Sequence, residues 1–430
     1  MRWTPLWPPL GFALNCDSPR FLALAANPAG LFVFPGSVWQ SRPVYVVLGA
    51  ALALPIRILF PMLDWPPLPT GLVASWWAYT LLNFAILLVA ICLFDVLLGA
   101  EERLTVTAFV FGSWLLANYV VKRFVWTPHT QLFNILVPVV ALRASLDALQ
   151  RPAVSNARAA MLGIVFGIGA LAYGSFAIAC LAFVASLWLG RCVRAEHVGL
   201  GTVARQSLCA LGAFALPIVA WWSYVTFRTG GFYSHEVQAY RQFVWIADAW
   251  QQGPAELAAV FADNLGYFLC TVANVLWLPA AVLAVLVVLA RTSGVSLRRL
   301  ARDEQALLLA TATVFGLTFV FLALLGFYAE RLSWALVPPL LVVCVKVGDA
   351  LDASLGRARR DAFRAGMVLL LAVGVAIEVL APLSPLSPGS PRRARAWAAP
   401  RRHPPRAAPI GSPATSAGRQ RAAGARVDGR

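Results

Sequence analysis

One acid stands near the start of the chain, in "NCDSPRFLALAANP", and cations recur after it at wide intervals. Asp17 and Arg20 belong to that stretch, Arg42 to "QSRPVY", and Lys122, Arg123, His129, Gln131 and Asn134 to "KRFVWTPHTQLFN". His235, Glu236 and Arg241 follow in the 228–269 region, and "GFYAERLSWALVPPL" adds Tyr328, Glu330 and Arg331. A carboxylate among cations suits general-base work on a hydroxyl. Guanidinium and ammonium groups close to a membrane surface suit a phosphate or pyrophosphate head group. Each residue also has an ordinary reading. Asp17 can cap a helix that begins at Ser18-Pro19. Thr127-Pro128 can mark a helix start, His129 can be structural, and Glu330-Arg331 can be an interfacial ion pair.

The elements that must position these residues are apolar. The chain has 430 residues, 60% of them hydrophobic and only 13% charged, about half the charge of a soluble domain. Apolar runs of about 20 residues, the length that crosses a bilayer core, recur at 74–98, 104–121, 131–148, 207–227, 270–290, 305–326, 332–347 and 365–382. The run 160–190 is too long for one upright helix and divides at "LAYGS" (171–175). The run 44–63 contains Pro55 and Arg57, so a re-entrant or surface-lying helix is expected there. Leu6–Leu14 is too short to span. The fold class expected is all-α: a polytopic integral membrane protein with about 10–11 transmembrane or re-entrant helices.

Lys and Arg set the orientation. Loops 191–206, 291–304 and 348–364 are rich in Arg and alternate correctly if all three are cytoplasmic. Parity then places 64–73, 122–130, 228–269 and 327–331 outside, together with the segment from Asp17 to Trp65. Lys122 and Arg123 break the charge rule, which an outer-face anion would explain. In 228–269, Phe243, Ile246, Ala247 and Trp250 recur at helical spacing after Tyr240, as in a helix lying at the membrane interface.

The net charge of +16 is mostly terminal, because ten Arg and one Asp follow Leu383. No basic stripe of the kind that binds nucleic acid remains, and no nucleic-acid partner is expected. Residues 383–430 read as a disordered basic tail rich in Pro, Ala and Arg, and 1–382 as the membrane-embedded domain. Met1–Cys16 does not read as a signal peptide. The seven Cys lack metal-ligand spacing and read as buried apolar residues. Asp95, Arg143 and Lys346 fall near cytoplasmic ends and Glu378 near an outer one, so no midplane relay stands out.

The pattern resembles the GT-C superfamily of membrane glycosyltransferases, which take a sugar from a polyprenyl-phosphate carrier. Four stretches carry the resemblance: "DSPRFLALA" after an acid, "SRPVY", "KRFVWTPHTQLFNILVPVVAL", and "ERLSWALVPPL" with its Arg before a Pro-containing helix. The opening "GIVFGIGALAYGS" of the paired short helices also looks like that family. The resemblance implies Asp17 as catalytic base and Arg20, Arg42, Lys122, Arg123 and Arg331 near the carrier phosphate. His129, Gln131, Asn134 and Glu330 would line the site. It further implies a polyprenyl-phosphate sugar donor, a glycan, lipid or protein acceptor, and a bilayer of the cytoplasmic (inner) membrane with the site facing outside or the periplasm. Against that family's pattern, the stretch at Asp17 has no Asp-Glu pair, the first transmembrane helix reads as missing or truncated, and no large outer C-terminal domain is expected. The missing pair leaves the need for a divalent cation open. A transporter or flippase for a lipid-linked or anionic substrate would use the same cations. A non-catalytic membrane subunit of a polysaccharide assembly complex is a third expectation.

Overall fold

The computed structural model describes residues 4–7, 11–15, 17–33, 39–59, 70–99, 105–151, 154–194, 199–238, 240–326 and 329–380. Tyr328, Glu101–Arg103, most of the 64–73 stretch and the tail from 383 lie outside the described residues. The protein is an all-α polytopic membrane protein. A short antiparallel strand pair, β1 (Thr4–Trp7) and β2 (Gly11–Leu14), precedes the helices, where the sequence suggested only a short apolar piece.

The first helices are α1 (Ser18–Ala26), α2 (Pro43–Leu59) and α3 (Thr70–Leu98). At 17 residues α2 is only about 25 Å long, short of a bilayer core of roughly 30 Å. Its awkward Arg57 is accommodated by protein: the guanidinium donates to the carbonyls of Ala25 (2.8 Å) and Ala26 (3.4 Å). Those are unpaired end groups of α1, at the helix pole that favours a cation.

The apolar run 104–121, expected as one span, is two helices: α4 (Val106–Leu116) and α5 (Tyr119–Phe124). Asn118 causes the break. Its side chain accepts from the backbone N–H groups of Val120 and Val121 and so starts α5 afresh. A tight turn at Thr130–Leu132 then leads into α6 (Phe133–Gln150), the most enclosed of the long helices. The expected division of 160–190 is present: α7 (Asn156–Ala170) and α8 (Phe176–Arg194) flank the 171–175 connection.

Helix α9 (Leu200–Thr229) packs on α7 at backbone contact distance. A Cβ at Gly163 would fall 2.2 Å from the Ala210 carbonyl oxygen, and one at Gly167 would fall 2.3 Å from that of Phe214. This four-residue glycine spacing lets two helices approach closely where lipid gives them no hydrophobic drive to associate.

Between α9 and the next long helix lie α10 (His235–Gln238) and α11 (Val244–Gln252). On α11, Trp245 and Ala249 face the protein, while Phe243 just before it, Ala247 and Trp250 are exposed. The outward face is thus the one expected to meet the interface. The 228–269 loop ends early, however, because α12 (Pro254–Thr292) begins there and runs 39 residues, about 58 Å. The chain continues through α13 (Leu297–Asp303), α14 (Gln305–Leu325), α15 (Glu330–Ser333), α16 (Val337–Ser354) and α17 (Arg357–Leu380). Seven described segments are long and apolar enough to cross a membrane: α3, the turn with α6, α8, α9, α12, α14, and α15 running into α16.

Candidate functional site

The segment from Thr127 to Asn134 is the hub of the polar site, and α3 holds its approach. The Asn83 amide nitrogen of α3 lies 3.1, 3.0 and 2.9 Å from the carbonyl oxygens of Phe124, Val125 and Thr127. A buried amide that satisfies backbone carbonyls fixes an irregular segment inside an apolar body. His129 is thereby set between the rings of Phe124 and Phe21, at centroid distances of 5.1 and 6.2 Å.

His129 Nε2 lies 3.1 Å from the Asp17 carboxylate. Asp17 stands at the N-cap of α1, yet its side chain makes no capping bond. Asn15 does the local work instead, its side-chain Oδ1 accepting from the Asp17 and Ser18 backbone N–H groups at 2.8 and 2.9 Å. The Asp17 carboxylate is therefore left for tertiary contacts, and it lines a cavity of about 310 Å³. That volume is at the low end for small-molecule pockets, enough for a head group.

Burial pushes the Asp17 carboxyl up. The hydrogen bond from His129 and the nearby charges of Arg42 and Arg331 more than offset this, so it titrates below the ordinary 3.8. Burial drives His129 down to about 4, against the pull of Asp17 and with help from Arg331 and Arg42. At neutral pH the imidazole is uncharged, and an uncharged ring bonds a carboxylate only by donating. Nε2 then carries the proton, and Nδ1 is a bare acceptor, buried without a partner among the described residues.

Arg42 is fixed from several sides. Its guanidinium lies over the rings of Trp39 (5.1 Å) and Tyr173 (5.5 Å), and it donates to the Thr130 hydroxyl. It also pairs with Glu236 at 2.7 Å, and the second Glu236 oxygen accepts from the Ser41 hydroxyl at 2.9 Å. Burial raises the Glu236 carboxyl, but Arg42 and Ser41 outweigh it and hold the group below its usual range.

Arg331 completes the set. Asn134 donates to its backbone carbonyl at 3.0 Å and to Gln131 at 2.8 Å, and accepts from the Tyr173 hydroxyl at 2.8 Å. Its guanidinium lines the cavity without a carboxylate within ion-pair distance among the described residues, and its Nε is buried without a partner. One wall of the cavity is apolar, formed by Phe243 with Phe321, Leu322 and Leu325 of α14.

Six of the polar residues singled out in the sequence therefore share one cavity: Asp17, Arg42, His129, Gln131, Glu236 and Arg331. Asn134 lies beneath it as a brace. Four others do not line it. Lys122 and Arg123 belong to α5, and Arg123 is buried with its guanidinium 3.2 Å from the Tyr119 hydroxyl. They do not line the cavity as expected. Arg20 is exposed on α1, and Glu330 sits outside the cavity wall. Trp39, Ser41 and Tyr173 line the cavity without having been singled out in the sequence. The aromatic neighbours of "SRPVY" were the available signal for Trp39. Tyr173 and Glu236 reach Arg42 only through tertiary packing.

Among the described residues, no three His, Cys, Asp or Glu side chains group so as to hold a metal ion. Comparison with protein-family models, curated proteins and solved structures gives no match to this chain.

Proposed function

We propose that this protein is a membrane glycosyltransferase of the GT-C type. It moves a sugar from a polyprenyl-phosphate-linked donor to an acceptor hydroxyl on the outer face of the cytoplasmic membrane. One observation carries the reading: a single unpaired-by-cation carboxylate, Asp17, shares a cavity with the guanidinium groups of Arg42 and Arg331 in a membrane-helical body.

In this reading Asp17 is the general base. Its carboxylate takes the proton of the acceptor hydroxyl as that oxygen attacks the anomeric carbon of the donor sugar. The bond from the anomeric carbon to the phosphate oxygen breaks, and the electron pair leaves with polyprenyl phosphate. Arg331, which has no carboxylate partner among the described residues, stabilises the negative charge that develops there, with Arg42 beside it. His129 positions Asp17 by donating to it, and Gln131 faces the sugar. The apolar wall of Phe243, Phe321, Leu322 and Leu325 suits the first prenyl units, since a cavity of about 310 Å³ holds a head group and leaves the chain to the bilayer.

The test is transfer of labelled sugar from a lipid-linked donor in membranes carrying the protein. Asp17→Asn removes the base while keeping the side-chain shape. Transfer should fall by roughly 10²–10⁴-fold. Undiminished transfer by the variant would sink the assignment. Movement of label across the bilayer with no covalent product would favour transport instead.

A further inference from the structure

We infer that Ser41 and Arg42 form a phosphate seat whose place is held, in the state described here, by the protein's own Glu236 carboxylate. Of the two Glu236 oxygens, one takes the Arg42 guanidinium at 2.7 Å, and the other takes the Ser41 hydroxyl at 2.9 Å and, at 3.4 Å, the Ser234 hydroxyl. A tetrahedral phosphate presents oxygens that guanidinium and hydroxyl donors bind in the same way, with a larger charge. All three residues line the cavity that holds Asp17 and Arg331, so the carboxylate already sits where an incoming head group would arrive.

The two partners are held very unequally. Arg42 keeps its position without Glu236, because Trp39, Tyr173 and the Thr130 hydroxyl hold the guanidinium. Its helix α2 begins at the next residue. Glu236 sits on α10, a helix of only four residues between two long ones. Downstream of it, Arg241 and Phe243 adopt left-handed backbone angles, φ 54° and 59°, which non-glycine residues rarely hold without support. A fixed cation facing a carboxylate on a short, strained connection is an arrangement in which the carboxylate yields. The seat is therefore occupied by a displaceable stand-in, and a phosphate must outcompete it. The inference rests on the transfer reading only in naming the carrier phosphate as the natural occupant.

Purified full-length protein in detergent, titrated with a short-chain prenyl monophosphate and separately with inorganic phosphate, tests this. Glu236→Gln keeps the shape and removes the competing charge, so it should bind the prenyl monophosphate about tenfold more tightly than the wild type, the equivalent of one partly buried ion pair. In the Glu236→Gln background, Arg42→Gln should abolish the gain. Ser41→Ala should reduce it a few-fold, a milder change that serves if Arg42→Gln does not fold. Preference for the prenyl compound over inorganic phosphate marks a lipid head-group seat, and equal binding marks a seat for free phosphate. Unchanged or weaker binding by Glu236→Gln overturns the inference. A lowered melting temperature with no gain in affinity does the same, because Glu236 would then be a structural brace. Tighter binding in a protein that transfers no sugar would count against the transfer reading alone. Active transfer with no gain in binding would count against the seat alone.

Discussion

The two ends of α6 both carry buried polar groups, separated by about 25 Å of helix, yet they are built on different terms. At the C-terminal end the acids Asp147 and Glu304 each meet a cation. Asp147 bonds Arg151 and, at 2.8 Å, Arg158. Nearby, Lys346 pairs with Glu304 at 2.9 Å and donates to the Leu98 carbonyl at 3.1 Å, while Asp349 accepts from the Thr107 hydroxyl. At the N-terminal end the pairing is incomplete. Asp17 is bonded by a neutral His129, and Arg331 has no carboxylate partner among the described residues. Both ends are polar, so polarity does not distinguish them. Unfinished pairing around a cavity does, because buried charge without a partner is costly unless something else completes it.

The contrast can be broken most sharply at Asp17, where the Asn variant should lose most of the sugar transfer and keep its fold. Arg331→Gln comes next. Loss of one cation that stabilises the departing phosphate should cost roughly 10²-fold in turnover. If turnover were kept, the unmatched cation would have no part in the chemistry.

His129→Leu sharpens the comparison through pH. The base form of Asp17 exists above its pKa, which the His129 bond helps to hold below 3.8. Removing that bond should raise it, so the acid limb of the rate profile should move to higher pH. Stability gives an independent reading. A histidine at about 4 in the folded protein and near 6.5 when unfolded binds its proton more readily in the unfolded chain across that window. The wild type should therefore lose thermal stability as pH falls from about 6.5 toward 4, and His129→Leu should flatten that slope. An unchanged acid limb in the variant would disconnect the imidazole from the base.

The smallest effect is expected at the other end of α6. Asp147→Asn weakens two charge-assisted bonds whose Arg partners are 48% and 37% exposed, so solvent screening leaves a loss of only about 1 kcal/mol. Transfer per folded molecule should stay at the wild-type level. A deep loss there would erase the distinction between the two ends.

Much of the helical plan was legible in the sequence, because hydropathy reports length directly. The division at 171–175 was visible for the same reason: one run was too long for one crossing. The break between α4 and α5 was not, since 104–121 is apolar almost throughout and a single Asn118 decides it by capping the second helix. That one change explains the misplaced cations, because it carries Lys122 and Arg123 onto a helix outside the cavity wall. Asp17, Arg42, His129, Gln131 and Arg331 were legible as polar residues at the ends of apolar runs. Which of them met was a matter of topology, and the Glu236–Arg42 pair spans nearly two hundred positions that no periodicity links.

The Asn83 amide has a consequence for how interchangeable the membrane helices are. Over most of its length α3 is a hydrophobic rod, and another apolar sequence of equal length would cross a bilayer as well. Such a graft would still release three carbonyls of the segment that leads to His129. Insertion would survive the exchange and alignment of the pocket would not. In this helix the information for residing in a membrane is spread over many redundant side chains, while the information for shaping a site is concentrated in one.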